Sequence, residues 1–110
     1  MDNRVVITGL GALTPIGNNI NDFWENLTLG VSGAAKITKF DSDKFKTQFA
    51  CELKDFNMDD FIPKSEARRY DPFTQYALVA VEEALKKGNI NLDALDKNKI
   101  GVIWGSGIGG

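Results

Sequence analysis

The sequence predicts an α/β fold, because two short apolar segments are separated by one long, well-delimited helix. Residues 5–8 (Val-Val-Ile-Thr) and residues 100–104 (Ile-Gly-Val-Ile-Trp) have the length and apolar character of buried parallel strands. The helix between them is predicted over residues 72–87. Strand, helix and strand therefore follow one another in the order of a parallel crossover unit.

Two glycines, Gly9 and Gly11, end the first predicted strand in a turn that allows backbone to approach backbone closely. A glycine turn at this place also occurs in dinucleotide-binding domains, where a third glycine opens a helix. Here Thr14 occupies that position, and Pro15, which has no N–H to offer a phosphate, follows it. A Rossmann-type nucleotide-binding domain is therefore kept only as a lesser alternative.

The next segment predicts a helix that begins at Asn19 or Asn21, either of which can serve as its N-cap. It runs to about Leu29, and Gly30 is placed to stop it. Apolar residues recur along this helix at helical spacing, and we expect them to form a buried stripe (Ile20, Trp24 and Leu27).

Three further segments lead to the long helix. Residues 31–46 predict a loop, since they are rich in the residues that favour turns. Residues 47–53 alternate between apolar and polar side chains, which predicts a half-buried strand at a sheet edge. A polar helical region is predicted over residues 58–70, with a break near Pro63.

The helix predicted over residues 72–87 is the most clearly delimited element of the chain. Asp71 stands at its N-cap position, Pro72 at its first helical position and Gly88 at its stop. Two i, i+4 pairs should each stabilise it by roughly 0.3–0.5 kcal/mol (Glu82–Lys86 and Glu83–Lys87). A strip of small residues permits another element to approach closely (Ala77, Ala80 and Ala84).

Composition restricts the chemistry of this segment. The net charge of -2 gives no argument for nucleic acid or an anionic membrane as a partner. Without histidine, the 110 residues cannot supply histidine-based acid–base chemistry, and one cysteine cannot form an internal disulfide. Two parallel-type strands and one edge strand cannot cover both faces of a doubly wound sheet, so we interpret the chain as one piece of a larger polypeptide.

Two motifs carry a resemblance to a known family. Residues 5–17 (Val-Val-Ile-Thr-Gly-Leu-Gly-Ala-Leu-Thr-Pro-Ile-Gly) resemble the amino terminus of the β-ketoacyl-acyl carrier protein synthases, most closely type II. Residues 100–110 (Ile-Gly-Val-Ile-Trp-Gly-Ser-Gly-Ile-Gly-Gly) resemble a second motif of that family, in the same order. The resemblance covers essentially this whole chain but only the first part of the longer family chain. It implies a thiolase-like fold, a layered α/β structure with a mixed sheet. Residues 1–110 would be the N-terminal segment of its N-terminal domain, with no complete second domain.

The resemblance also implies an activity. These enzymes elongate acyl chains in fatty acid biosynthesis by decarboxylative Claisen condensation, as cytoplasmic homodimers that accept substrates from acyl carrier protein, without a redox cofactor or catalytic metal. Their nucleophilic cysteine begins a buried helix, whereas Cys51 lies in a predicted strand and is interpreted as an inert, half-buried structural thiol. We therefore expect no catalytic residue in this segment. A non-catalytic chain-length partner subunit of a polyketide system is the alternative.

The first candidate site is the acyl tunnel, which the resemblance assigns to Gly107, Ile108 and Gly109. It implies that Ile108 touches the tail of the substrate and that the glycines on either side allow it to move. The residues alone leave open a second interpretation, a flexible turn after a strand.

The second candidate site is the only basic cluster of the chain, Lys64, Arg68 and Arg69. The resemblance implies that these residues dock acyl carrier protein, an acidic helical partner. The alternative is a solvated helix face in which Glu66 is the local partner of the basic side chains. Ser65 stands where the family has another basic residue.

Overall fold

The computed structural model describes residues 3–109, which fall into two compact units. Residues 3–11 and 57–109 form the first unit, and residues 12–56 form the second. No helix among the described residues is long and apolar enough to cross a membrane. The elements, in chain order, are helix α1 (Ile20–Thr28), strands β1 (Ala35–Lys36) and β2 (Phe49–Ala50), a 3₁₀ turn (Met58–Asp60), helices α2 (Lys64–Ala67) and α3 (Pro72–Lys87), and two further 3₁₀ turns (Leu92–Ala94 and Lys97–Lys99).

Helix α3 has the bounds that its sequence predicts. Pro72 is its first residue, and the N–H of Gly88 donates to the carbonyls of Ala84 and Lys86 at its end. The predicted pair between Lys86 and Glu82 forms, with 2.6 Å between Nζ and Oε1. Asp71 precedes the helix in an extended conformation, but its side chain makes no capping hydrogen bond. The structure thus confirms Asp71 as the N-cap residue, although its backbone carbonyl, and not its side chain, accepts the N–H groups of Thr74 and Gln75 at 3.0 and 3.1 Å.

The glycine turn at the start of the first unit packs directly on α3. A Cβ added to Gly11 would overlap the carbonyl oxygen of Ala80 and lie 2.9 Å from the nitrogen of Ala84. A Cβ added to Gly9 would overlap the carbonyl oxygen of Ala84 and lie 2.7 Å from the nitrogen of Gly88. The small-residue strip of α3 therefore receives the glycine turn, as the close approach predicted for both segments requires.

The two predicted strands of the first unit are wrong as strands. Residues 5–8 and 100–104 take part in no ladder with any described residue. Their side chains are also uncovered, since Val5 is 88% exposed and Ile103 is 99% exposed. A strand exists only through its hydrogen-bonded neighbour, and an apolar run is buried only by a facing layer, and residues 3–109 supply neither.

Helix α1 of the second unit begins and ends where predicted. The side chain of Asn19 accepts hydrogen bonds from the backbone N–H groups of Asn21 and Asp22, both at 3.0 Å. After Thr28 and Leu29, Gly30 takes a φ of +71°, the left-handed conformation that favours glycine. The predicted burial of the apolar stripe is wrong, because no residue of α1 is buried and Trp24 is 64% exposed. Ile20 is half-buried, and Leu27, like Trp24, is exposed.

Strands β1 and β2 form the only sheet among the described residues, a two-residue antiparallel pair with Ala35 opposite Ala50 and Lys36 opposite Phe49. The strand predicted over residues 47–53 is thus shortened to Phe49–Ala50, and the predicted loop contains its partner. Pairing across about a dozen residues is a contact that local pattern does not reveal.

A carboxylate just after β2 binds the backbone and side chain of a residue just after β1. The backbone N–H and the hydroxyl of Thr38 both donate to Glu52 Oε2, at 3.0 and 2.7 Å. The hydroxyl hydrogen bond, followed by the backbone one, lowers the pKa of Glu52 from its ordinary value. We refer to this arrangement as the Thr38–Glu52 clasp.

Candidate functional site

The glycine loop at residues 105–109 leaves the Ile108 side chain uncovered by the described residues. The loop bends at Gly107 and Ile108, and the Ile108 side chain is 91% exposed. A Cβ added at Gly105, Gly107 or Gly109 would meet no atom within 4 Å. The structure therefore presents Ile108 as an uncovered apolar side chain on an open loop.

One hydrogen bond organises this loop. Ser106 Oγ donates to the carbonyl oxygen of Ile108 at 2.8 Å. No role for Ser106 is predicted from the sequence. The signal for it was a single hydroxyl side chain within a run of glycines, where local hydrogen bonds from serine to backbone are common.

The basic residues lie on and just after the short helix α2. Pro63 precedes the helix, which confirms the predicted break, and Ala67 is the residue of α2 that is buried. Lys64, Arg68 and Arg69 are all exposed. The structure thus brings the three predicted docking residues together on one exposed segment anchored by Ala67.

A side chain from α3 holds the backbone of this segment. Gln75 Nε2 donates to the carbonyl oxygens of Ala67 and Tyr70, both at 2.8 Å. These two carbonyls flank Arg68 and Arg69 in the chain. This contact joins residues of two separate helical segments, so the sequence pattern does not predict it.

The charges of the cluster are only partly neutralised. Lys64 Nζ lies 4.0 Å from Asp59 Oδ2, an exposed ion pair of small energetic value. Glu66, the predicted local partner, forms no ion pair with a described residue, and neither do Arg68 and Arg69. Both guanidinium groups are therefore open to an external anion. Within the described range, no hydrogen bond or ion pair joins this cluster to the glycine loop.

Cys51 does not resemble an activated nucleophile in its setting. It is exposed and follows directly after Ala50, the last residue of β2, so no helix terminus begins at it. Residues 3–109 also contain no group of three or more acidic or cysteine side chains that could hold a metal ion. The prediction that Cys51 is half-buried within a strand is wrong, because the residue is exposed and lies just outside β2.

Residues 14–17, at the position where a nucleotide-binding domain would have its third glycine, form a tight turn. Thr14 and Gly17 pair as an isolated bridge, with N···O distances of 2.8 and 3.1 Å, and the Thr14 hydroxyl donates to the Gly17 carbonyl at 3.2 Å. Helix α1 begins only at Ile20. The glycine-rich turn therefore does not lead directly into a helix N-terminus, as a phosphate-binding loop does.

An open pocket of about 290 Å³ in the second unit was not predicted. Its wall includes Asn18, whose side-chain N–H group donates to the carbonyl oxygen of Lys54 at 2.8 Å. Asn26 donates in the same way to the carbonyl oxygen of Ile16 at 2.6 Å. These amide groups hold loop backbone in place, so the lining is explained by the local fold.

Comparison with known proteins gives matches along almost the whole chain. The family described as "Beta-ketoacyl synthase, N-terminal domain" matches residues 2–110. The 3-oxoacyl-[acyl-carrier-protein] synthase 2 of Staphylococcus aureus (strain COL) is 51% identical over 109 residues, which is 99% of this chain and 26% of the relative. The synthase of the same name from Synechocystis sp. is 42% identical over 107 residues, 97% of this chain and 26% of the relative. This chain thus spans about a quarter of the length of these curated relatives.

Two solved structures have a similar fold. One is the ishigamide ketosynthase/chain length factor, with a TM-score of 0.73 and 32% identity, covering 82% of this chain and 22% of that one. The other is a type II PKS acyl-carrier protein in complex with its ketosynthase bound to the hexaketide. Its TM-score is 0.66 at 30% identity, and the match covers 87% of this chain and 25% of that one. These likenesses confirm the predicted fold class, the N-terminal part of a thiolase-like fold. The chain belongs to the beta-ketoacyl synthase family and matches its N-terminal domain.

Proposed function

We propose that the protein is a β-ketoacyl-acyl carrier protein synthase that elongates acyl chains in fatty acid biosynthesis. The observation that carries the proposal is the 51% identity to a 3-oxoacyl-[acyl-carrier-protein] synthase 2 along 99% of this chain. Two features of the structure support it: an open loop that presents Ile108, and a basic segment with two unpaired guanidinium groups.

The proposed reaction has two halves. An acyl group passes from the thiol of a carrier protein to an enzyme cysteine, with exchange of one thioester for another. Malonyl-carrier protein then loses carbon dioxide, and the electron pair released by the broken C–C bond attacks the acyl thioester and expels the enzyme thiolate. The product is a 3-oxoacyl-carrier protein two carbons longer than the acyl primer. We assign none of the catalytic residues to residues 1–110, which we propose to be a segment of the N-terminal domain.

Within this reaction, the glycine loop binds the acyl tail. Ile108 supplies an apolar contact to the tail, and Gly107 and Gly109 leave room for it because they carry no side chains of their own. Hydrophobic discrimination of this kind is limited to about 1–3 kcal/mol per methylene, so the loop selects chain length and does no bond chemistry.

The basic segment docks acyl carrier protein through Lys64, Arg68 and Arg69. Paired charges at such a surface accelerate encounter and fix orientation, with a dependence on salt. A structural relative whose title names an acyl-carrier protein in complex with its ketosynthase supports a carrier as partner. We further propose a cytoplasmic homodimer as the working assembly.

Purified full-length protein, incubated with acyl- and malonyl-loaded carrier protein, tests the proposal. We expect one carbon dioxide and one 3-oxoacyl-carrier protein per turnover, both measurable by mass spectrometry. If neither product forms, while an authentic synthase elongates the same substrates, the proposed activity is wrong.

A second candidate is a non-catalytic subunit that sets chain length in a polyketide system. The structural likeness to the ishigamide ketosynthase/chain length factor supports this second candidate. Such a subunit would form no product alone but would change the product length of a separately supplied ketosynthase. A cysteine at a helix start and two histidines in the rest of the full-length sequence support the enzyme, and their replacement supports the partner.

A further inference from the structure

Among the residues proposed to bind the acyl tail, only Ile108 carries a side chain larger than hydrogen. The position of that side chain is set by the backbone of the loop, and three of the five loop residues are glycines with free space around them. Glycine admits more backbone conformations than any other residue, so the loop has little steric restraint of its own.

Packing against other described residues does not restrain the Ile108 side chain either. Ile108 is 91% exposed, so no described residue packs over it. Among the described residues, the hydrogen bond that restrains the loop runs from Ser106 Oγ to the carbonyl oxygen of Ile108, at 2.8 Å. This bond closes a ring that contains both backbone torsions of Gly107 and those of Ile108.

From this geometry we infer that Ser106 is a positioning residue that sets the direction of Ile108 and thereby sharpens the choice of acyl chain length. The inference rests on the proposed role of Ile108 as an acyl contact. Ser106 does not touch the substrate. Its hydroxyl narrows the set of orientations in which Ile108 meets the tail, and a narrower set separates chain lengths better.

The test uses the full-length protein and three variants: Ser106→Ala, Ser106→Thr, and Ile108→Ala as a reference. The measured quantity is the ratio of kcat/KM between the preferred acyl chain and one two carbons longer. Ser106→Ala should reduce this ratio roughly two- to ten-fold, the range expected for one net hydrogen bond between neutral groups. Ser106→Thr should restore it, because threonine keeps the hydroxyl. Ser32→Ala is the control, since Ser32 Oγ also bonds backbone two residues along the chain, although it accepts, from the N–H of Ala34 at 3.2 Å.

A second measurement does not depend on activity. Methyl relaxation by NMR on the Ile108 δ methyl group should report a lower order parameter in Ser106→Ala and recovery in Ser106→Thr. Unchanged order in Ser106→Ala would overturn the positioning role directly. An unchanged chain-length ratio in Ser106→Ala would also overturn it if Ile108→Ala alters the ratio. If Ile108→Ala leaves the ratio unchanged, the proposed acyl contact fails instead. Equal loss for all chain lengths without rescue by threonine would mean a merely structural role.

Discussion

The first unit contains two glycine-rich segments that use the same residue in opposite ways. At Gly9 and Gly11, an added Cβ would overlap carbonyl oxygens of α3, so glycine is required by what lies against it. At Gly105, Gly107 and Gly109, an added Cβ would meet open space. Glycine content alone therefore does not distinguish a packed turn from an open loop. The two differ in whether another element packs against them, and this difference determines whether a substitution affects stability or specificity.

The largest expected effect is on the packed turn. Gly11→Ala should lower the free energy of unfolding by about 3 kcal/mol, because the new methyl group must displace helix backbone. Gly105→Ala is the matched change in the open loop and should alter stability by less than about 0.5 kcal/mol. Urea unfolding of the full-length protein measures both. Equal losses of stability in the two variants would contradict the proposed difference between the packed turn and the open loop.

The second effect concerns the open loop and should appear in specificity. Ile108→Ala should raise kcat/KM for longer acyl chains relative to the preferred one by roughly ten-fold, since one apolar contact is worth that order of discrimination. Substrate competition assays measure the ratio. A loss of stability as large as that of Gly11→Ala, without a change in selectivity, would place Ile108 among packing residues.

A smaller effect is expected from the exposed basic segment. The double variant Arg68→Glu/Arg69→Glu should raise KM for carrier-bound substrates about five-fold at low salt, with the difference shrinking as salt increases. Lys99→Glu, an exposed reversal of charge elsewhere in the first unit, serves as the control. An increase in KM that is equal in both variants or insensitive to salt would contradict docking through these arginines.

The smallest effect is expected in the second unit, where the exposed carboxylate of Glu52 binds the backbone and side chain of Thr38. The folded state lowers the pKa of Glu52, so the clasp contributes stability above the unfolded pKa and loses it as pH falls through the folded value. In an NMR titration from about pH 5 to about pH 2, the Thr38 amide signal should move with the protonation of Glu52. In Glu52→Gln this movement should disappear. A Thr38 signal that stays constant in the unmodified protein would show that the clasp is absent in solution.

The sequence predicted those parts of the fold that depend on neighbours in the chain. The cap at Asn19, the left-handed Gly30 and the limits of α3 all follow from local chemistry, and the structure confirms them. The predicted strands at residues 5–8 and 100–104 failed, since pairing depends on segments far away in sequence.

The candidate sites show the same division. Sequence motifs selected Ile108 and the basic cluster, but they did not reveal what holds either in place. The hydrogen bond of Ser106 and the two hydrogen bonds of Gln75 depend on backbone direction, which residue type alone does not specify. Family resemblance can therefore nominate a contact residue while its supporting residues stay hidden until the structure is known.

The two hydrogen bonds of Gln75 have a consequence for the proposed encounter with a carrier protein. They immobilise the backbone on both sides of Arg68 and Arg69 before any partner arrives. The conformational entropy lost on association then comes mainly from ordering the arginine side chains, since the main chain is already ordered in the free protein. Such preorganisation lets a small exposed patch bind a partner at a lower entropic cost, because little of the main chain must be reordered on binding.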